Sequence, residues 1–321
     1  MDINVLITST SFGKVVKEPV EILKSKGYRL IWNKSGRPLK EDELVEKVHD
    51  VDAWIAGVDE ITAKVISAAN NLKIICRYGV GVDNVDLREA TKRGIIVTNT
   101  PDANSDAVAD LTIGLILAVA RWIPQADKAV KEGKWDRFFG YSVYDKTLGI
   151  IGMGKIGIKV MQRAQGFKMK IIYSDPRKNY EAEKMGARKV DLDELLREAD
   201  FISIHTPLTS KTKYLIGESE LSKMRSTSFL INTARGKLVD EIALYRYLKE
   251  KKIAGAAVDV YSKEPPGESP LLSLDNVVTT PHIGGYTYEA LYNMGMMVVK
   301  SLIDTLEGKK PDYMVNPEAY K

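Results

Sequence analysis

The sequence is poor in cysteine and histidine, and this scarcity excludes several classes of protein. One cysteine, Cys76, occurs in 321 residues, so an internal disulfide framework of the secreted type is excluded. Cys76 lies in the apolar run KIIC with no ligand cluster and no helix N-terminus beside it, which predicts a buried, unreactive thiol. No metal site is predicted.

An excess of one charge and a long hydrophobic segment are also absent. Lys and Arg number 47 against 43 Asp and Glu, a net charge of +4 without long blocks of one sign, which indicates a mixed, solvated surface and no nucleic-acid partner. The apolar run at 111–120 is well short of the roughly 20 residues that a bilayer requires. The start MDINVLITS lacks a basic n-region and cleavage site. We therefore expect a soluble cytoplasmic protein with no membrane partner.

The sequence does contain a sustained alternation of strands and helices. A chain of 321 residues exceeds the size at which one core stops growing, so we expect two domains. Strict alternation implies right-handed βαβ units and parallel sheets, and predicts two doubly wound α/β domains. The predicted strands are 3–8, 28–32, 53–57, 72–78 and 94–99, then 147–152, 169–175, 201–206, 228–234, 253–259 and 276–281.

Two longer helices are predicted outside this alternation. One begins near the capping residues Asn104 and Ser105 and is apolar on most sides, so we expect it to be buried. The other runs from about Thr287 to Leu306, and its apolar positions form one stripe that must dock on another element: 291, 294, 298, 302 and 306.

A glycine-rich loop follows the strand at 147–152. Gly152, Gly154 and Gly157 fit G-x-G-x-x-G between a strand and a helix, where a backbone can approach a pyrophosphate at the helix N-terminus. The next strand ends in Asp175, 18 residues beyond Gly157, where a carboxylate can accept both adenosine ribose hydroxyls. An acid at this place favours NAD over NADP, although Arg177 leaves tolerance of NADP open.

Polar residues stand at the ends of several predicted strands in the second half. His49 lies in a charged helix end and is predicted to be on the surface, whereas His205 is predicted to line a cofactor or to be structural. His282 follows a strand and precedes two glycines; taken alone it is equally consistent with a catalytic or a structural role. Arg235 and Glu264 also lie just past strands. Because the carboxyl ends of parallel strands converge on one crevice, these last three residues can meet there.

Such a group suits hydride transfer. Reduction of a ketone leaves an alkoxide that must gain a proton, and a histidine donates protons near neutral pH. A carboxylate beside that histidine favours its protonated form and holds its ring, while arginine grips a substrate carboxylate with two hydrogen bonds.

With these residues identified, the chain resembles the D-isomer-specific 2-hydroxyacid dehydrogenase family, nearest its phosphoglycerate dehydrogenase branch in a short form without a regulatory domain. The resemblance covers nearly the whole chain, through RYGVGVDNVDL, NTPDANSDAVADL, TLGIIGMGKIG, HTPLTSKT, LINTARGKLVDE, AAVDVYSKEPP and TPHIGG. It implies NAD as cofactor, Arg235, Glu264 and His282 as catalytic residues, and substrate binding by Val80, Gly81, Arg235 and His282. The cofactor-binding residues that it implies are Gly152, Gly154, Lys155, Ile156, Gly157, Asp175, His205, Thr206, Pro207, Thr233, Ala234, Asp259, His282 and Gly284, with Asp259 holding the nicotinamide carboxamide.

The resemblance also implies a domain arrangement. A flavodoxin-like substrate domain, 1–100 plus 289–321, is interrupted by an inserted Rossmann NAD-binding domain, 101–288, which explains why the glycine loop lies so late in the chain. The two crossings form a hinge. A homodimer through the NAD domains is expected.

The substrate implied is a small 2-hydroxy or 2-keto acid, with D-3-phosphoglycerate as the first expectation and a glyoxylate or hydroxypyruvate reductase as the alternative. Animal-type phosphoglycerate dehydrogenases have an Arg-Ser pair where this chain has Ala56 and Gly57, and acids follow at Asp59 and Glu60. Lys14 and Arg77 are possible substitutes for the missing phosphate ligand. An NAD-sensing corepressor is the expectation from a different class, since corepressors share this fold.

Overall fold

The computed structural model describes residues 3–320, and the chain divides into two compact units. One unit comprises Met1–Asn104 with Gly285–Lys321, and the other comprises Ser105–Gly284. The crossings therefore fall after residues 104 and 284, where the sequence analysis put them after 100 and 288. The second unit is inserted into the first.

The first unit is an α/β sandwich around five parallel strands. Its strands are β1 (Asn4–Ile7), β2 (Arg29–Trp32), β3 (Ala53–Ala56), β4 (Ile74–Arg77) and β5 (Ile96–Thr98). Its helices are α1 (Glu18–Ser25), α2 (Glu41–Lys47), α3 (Ala63–Ala68), α4 (Leu87–Lys92) and the last helix of the chain, Tyr288–Leu306.

The strand order of this unit is β2-β1-β3-β4-β5, the flavodoxin-like order. The order reverses between β1 and β3, and ligands bind at such a switch point in doubly wound sheets. The last helix begins after Thr287, whose hydroxyl accepts the Ala290 N–H and caps it. Of its predicted apolar stripe, Leu291, Met294, Val298 and Leu302 are buried. It packs on α1, β3 and β4, so the stripe docks on this unit.

The second unit has a seven-stranded sheet. Its strands are β6 (Thr147–Ile151), β7 (Lys170–Ser174), β8 (Arg188–Lys189), β9 (Phe201–Ile204), β10 (Phe229–Asn232), β11 (Gly255–Val258) and β12 (Val277–Thr279). Its helices are α5 (Ser105–Ala120), α6 (Ile123–Lys131), α7 (Lys155–Gln165), α8 (Tyr180–Lys184), α9 (Leu192–Glu198), α10 (Glu218–Leu221) and α11 (Glu241–Lys249), so Tyr288–Leu306 is α12.

The order β12-β11-β10-β9-β6-β7-β8 is that of a Rossmann sheet with one added strand, and every pairing is parallel. Two hydrophobic clusters cover its two faces, one built on α9 and α11 and the other on α5 and α7. Two parallel α/β sheets confirm the predicted fold class. The two-residue edge strand β8 was not predicted, because its exposed residues, Arg188 and Lys189, have no hydrophobic pattern.

The structure of residues 3–320 bears on the expected burial of Cys76 and on the expected absence of a membrane-spanning helix. Cys76 is fully buried in β4, which confirms the predicted burial, and that burial raises the pKa of its thiol to about 12. Within the same described range, no single helix is long and apolar enough for a membrane span. Only α5 and α6 taken together reach that length, and they are bent by 64° where they join.

Candidate active site

The predicted site residues of the second unit all lie just after the carboxyl ends of its strands. Some of them are in the first turn of the helix that comes next. The full set is Gly152, Gly154, Lys155, Ile156 and Gly157 after β6, Asp175 after β7, His205, Thr206 and Pro207 after β9, Thr233, Ala234 and Arg235 after β10, Asp259 and Glu264 after β11, and His282 and Gly284 after β12. These residues therefore lie at the same edge of the sheet, as expected for parallel strands.

The glycine loop has a shape that only glycine permits. Gly152 has φ +94°, and a Cβ there would lie 2.7 Å from the backbone carbonyl of His205. A Cβ on Gly157 would overlap the carbonyl oxygen of Gly152, so the helix packs directly on the loop. By contrast, a Cβ on Gly154 would meet no atom within 4 Å. Open space thus lies at the N-cap of the 11-residue helix α7, whose first N–H groups have no intrahelical acceptor.

Asp175 joins this loop to the next strand. Its Oδ2 accepts the Met153 N–H at 3.0 Å and its Oδ1 accepts the Arg177 N–H at 2.8 Å. Each carboxylate oxygen retains a second lone pair for a hydroxyl donor. The open helix N-terminus and the half-exposed carboxylate beside it fit the pyrophosphate and ribose of a dinucleotide.

His205 is held as a neutral ring. Its Nε2 lies 2.8 Å from Ser203 Oγ, and burial lowers the pKa of the imidazole to about 3. Its Nδ1 is buried without a hydrogen-bond partner among the described residues. A ring that stays uncharged at neutral pH is suited to lining a site and unsuited to donating protons.

Three neighbouring strands deliver Arg235, Glu264 and His282. The sheet order places β10, β11 and β12 side by side, and these residues follow them in turn. The Arg235 loop touches the Glu264 loop at its base, because a Cβ on Gly236 would overlap the Tyr261 carbonyl. Glycine at 236 therefore permits the close approach of the two loops.

Glu264 and His282 form a hydrogen-bonded pair. His282 Nδ1 lies 2.7 Å from Glu264 Oε2, while Glu264 Oε1 accepts the Tyr261 N–H at 3.1 Å. Burial alone would raise the pKa of Glu264, but the hydrogen bonds from His282 and the Tyr261 N–H, together with the positive charges of His282 and Arg235, lower it below its ordinary value of 4.5. The carboxylate is therefore ionised at neutral pH, with its His282-facing oxygen accepting from an N–H at Nδ1.

Asp259 organises the turn that carries His282. Its Oδ1 accepts the Thr280 hydroxyl at 2.6 Å and the Ile283 N–H at 2.8 Å, and its Oδ2 accepts the Gly284 N–H at 2.9 Å. These bonds hold His282 at φ +54°, a left-handed conformation that is uncommon for a residue other than glycine. The sequence analysis assigned Asp259 only to the nicotinamide. Its part in the turn was missed, although Thr280, Pro281 and two glycines around His282 are the composition of a tight turn.

In the first unit, Val80 and Gly81 lie on a loop after β4 that is tied down from two sides. Asn99 donates its side-chain amide to the Val80 carbonyl at 2.7 Å, and the Thr100 N–H reaches the Gly79 carbonyl at 3.1 Å. Gly79 has φ +148°, so the loop needs glycine there. The Val80 residue is 36% exposed, so this loop lies at the surface of the first unit.

Asp59, at the switch point of the first unit, is less exposed than we expected. The sequence analysis grouped it with Glu60 as an added acid, but Asp59 is 1% exposed, whereas Glu60 is on the surface. Its carboxylate accepts the Thr8 hydroxyl at 2.5 Å, the Leu39 N–H at 2.8 Å and the Gly57 N–H at 3.2 Å. Burial raises the pKa of Asp59, and the three hydrogen bonds oppose that rise. Asp59 thus holds the exit of β3 together.

Arg77 and Lys14, the two basic residues considered as phosphate ligands, differ in burial. Arg77 is 7% exposed and donates through Nη1 to the Tyr78 carbonyl at 2.6 Å, with its guanidinium against Gly79. Lys14 is exposed after β1. Arg77 therefore supports the loop that carries Val80.

A Rossmann sheet with an open glycine loop, and an imidazole–carboxylate pair beside an arginine at the same edge, define an oxidoreductase that uses a nicotinamide dinucleotide. Residues 113–284 match the family described as D-isomer specific 2-hydroxyacid dehydrogenase, NAD binding domain. The chain belongs to that family and is an NAD-dependent 2-hydroxyacid dehydrogenase.

Similar proteins have two different names. The chain is 45% identical over 300 residues to glyoxylate reductase of Korarchaeum cryptofilum, covering 91% of this chain and 90% of that protein. It is 48% identical over 283 residues to D-3-phosphoglycerate dehydrogenase of Methanocaldococcus jannaschii, covering 87% of this chain and 54% of that protein, so it spans about half of this relative. The crystal structure of a glyoxylate reductase from Paecilomyes thermophila is 33% identical with a TM-score of 0.86, covering 98% of each chain.

Proposed function

We propose that this enzyme uses NADH to reduce a small, unphosphorylated 2-oxo acid, such as glyoxylate or hydroxypyruvate, to the D-2-hydroxy acid. The observation that carries the proposal is the Glu264–His282 pair at 2.7 Å, on strands next to the one that delivers Arg235. An acid that gives up one proton is what ketone reduction requires after hydride arrives.

His282 donates the proton through Nε2 in this proposal. Its Nδ1 faces Glu264, so Nε2 is the ring nitrogen that remains for the substrate carbonyl oxygen. Glu264 keeps the ring oriented and stabilises the imidazolium before transfer. When bound at the glycine loop, NADH would supply the hydride that C2 of the oxo acid receives. In the oxidation direction, His282 takes the hydroxyl proton instead.

Arg235 is the proposed ligand of the substrate carboxylate, and the backbone N–H groups at Val80 and Gly81 are the proposed substrate-binding groups of the first unit. The guanidinium fork matches a carboxylate with two hydrogen bonds, and its charge also polarises the adjacent carbonyl. The residues predicted to bind the cofactor, from Gly152 to Gly284, are part of the same proposal.

The absence of a phosphate is argued from the switch point of the first unit. Ser9, Gly57, Val58 and buried Asp59 follow β1 and β3, and none of these is basic. A phosphate dianion held against these four residues would lie near the Asp59 carboxylate, which is unfavourable at short range, and the cation that follows β1, Lys14, is exposed to solvent. Small acids such as glyoxylate have no phosphate group and therefore need no cation at this position. The name of the Korarchaeum relative supports the same substrate class.

The test compares kcat/KM for glyoxylate, hydroxypyruvate and 3-phosphohydroxypyruvate with NADH. We expect the phosphorylated acid to be used at least about tenfold less well than hydroxypyruvate, the cost of one unpaired ionic contact. Val58→Arg adds a cation at an exposed position after β3 and should narrow that gap, whereas the neutral control Val58→Gln should not. A preference of the parent enzyme for the phosphorylated acid would reject the proposal.

Oxidation of D-3-phosphoglycerate is the second candidate function. It is supported by the 48% identity to the Methanocaldococcus enzyme of that name. Under this alternative the phosphate is bound by residues other than those after β3, and the same comparison of substrates decides between the two.

We further propose a homodimer through the second unit. The segment after α6 exposes Trp135 and Phe139 at 79% and 90%, and α6 itself exposes Ile123 and Val130. Large apolar groups this exposed indicate a surface that a second copy covers. Light scattering should give twice the chain mass of 35.8 kDa, and Trp135→Ser combined with Phe139→Ser should shift it toward one chain. A monomeric parent enzyme would contradict the assignment.

A further inference from the structure

The peptide at Met153, inside the glycine loop, is held by hydrogen bonds on both sides. Its N–H donates to Asp175 Oδ2 at 3.0 Å, and its carbonyl accepts the side-chain amide of Asn179 at 2.8 Å. The preceding peptide is also fixed, because the Gly152 N–H donates to the Ser174 carbonyl at 2.9 Å. The loop is thus bonded to the exit of β7 at three consecutive points.

Asn179 is itself fixed in place. Its backbone N–H donates to the hydroxyl of Tyr173, a fully buried side chain in β7, at 3.0 Å. Its side-chain oxygen accepts the Ala182 N–H at 3.0 Å and caps α8. With its oxygen used by the helix and one amide hydrogen used by Met153, the orientation of the amide group is determined by both contacts.

We propose that Asn179 is a positioning residue for NAD: it holds the Met153 carbonyl so that the glycine loop is already in its binding conformation before the dinucleotide arrives. A glycine-containing loop is conformationally free unless other groups restrain it, and restraint before binding lowers the cost of binding. The inference rests on the NAD dependence of the family and does not depend on which oxo acid is reduced.

Two substitutions separate the restraint from the helix cap. Serine and aspartate both cap helices about as well as asparagine, but neither can donate an amide hydrogen to the Met153 carbonyl. Asn179→Ser is neutral, whereas Asn179→Asp adds a charge that would repel a pyrophosphate. Asp191→Ser is the matched control, because Asp191 caps α9 in the same unit through the Glu194 N–H.

The measurement is NADH affinity by fluorescence titration without any oxo acid. We expect Asn179→Ser and Asn179→Asp each to raise the Kd about three- to tenfold, the loss of one hydrogen bond, while Asp191→Ser leaves it unchanged. In steady state, the KM for NADH should rise with kcat and the oxo-acid KM within about twofold of the parent. Amide exchange in the NAD-free protein should become faster at residues 152–157.

An unchanged Kd in Asn179→Ser would overturn the proposal, as would a rise in the aspartate variant alone, which would indicate charge repulsion. An equal rise in Asp191→Ser would also overturn it, because the effect would then follow general stability.

Discussion

Replacing Glu264 with glutamine separates the two effects that this side chain has on His282. A glutamine oxygen still accepts the Nδ1 hydrogen at the observed 2.7 Å geometry, so the ring keeps its orientation. The negative charge that stabilises the protonated ring is lost. Any change in activity that depends on pH then reports on the charge, and a change that is the same at every pH reports on orientation.

The size of the effect follows from the contact. A hydrogen bond to an ionised partner contributes about 1.5 to 3 kcal/mol, against about 1 kcal/mol for a bond between neutral groups. The side chains of His282 and Glu264 are 36% and 30% exposed, so screening by water favours the lower end of that range. We expect a loss of about 1.5 kcal/mol, which is a kcat/KM about tenfold lower at the alkaline end of the profile.

The assay is glyoxylate reduction followed by NADH absorbance from about pH 5 to about pH 9, the range in which a histidine titrates. Glu268→Gln is the matched control, since it removes an exposed charge from the same loop without touching His282. At the acid end the Glu264→Gln enzyme should approach the parental rate. A parallel loss at all pH values, or a profile identical to that of Glu268→Gln, would refute the reasoning.

Three further predictions concern single residues. His282→Ala should lower kcat about 10²- to 10⁴-fold with the NADH Kd unchanged, and activity surviving the change would exclude His282 as the acid. Asp59→Ala leaves the buried N–H groups of Leu39 and Gly57 unpaired, so urea unfolding should show a free energy lower by about 2 to 4 kcal/mol; a loss below about 1 kcal/mol would contradict the buried network. Gly236→Ala forces the Arg235 loop away from Tyr261 and should reduce kcat/KM about a hundredfold, whereas Gly217→Ala, with an ordinary 3.5 Å contact, should have little effect.

The fold was predictable because its signals are local. Each predicted strand other than those at the edges is a buried apolar run between helical segments, and the glycine motif needs only six consecutive residues for its interpretation. The two-residue strand β8 gives no such signal, because an exposed edge strand can be formed by polar residues.

The site was predictable only where residue type and strand end coincide. Arg235, Glu264 and His282 could be grouped from topology, but the contacts of Asp59 depend on Thr8 and Leu39, which are 51 and 20 residues away. An aspartate in a loop ordinarily indicates a surface. The bond from Asn179 to Met153 joins residues 26 apart and likewise has no counterpart in local sequence.

The proposed acid His282, its partner Glu264 and Arg235 all follow adjacent strands of the inserted unit. The loop with Val80 and the switch point with Asp59 belong to the other unit. Under the proposal that the Val80 loop binds the substrate, substitutions in the first hundred residues should change which acid is accepted, and they leave the contacts that position Glu264 and His282 unchanged. Directed evolution of this scaffold toward a new hydroxy acid should accumulate its productive mutations there.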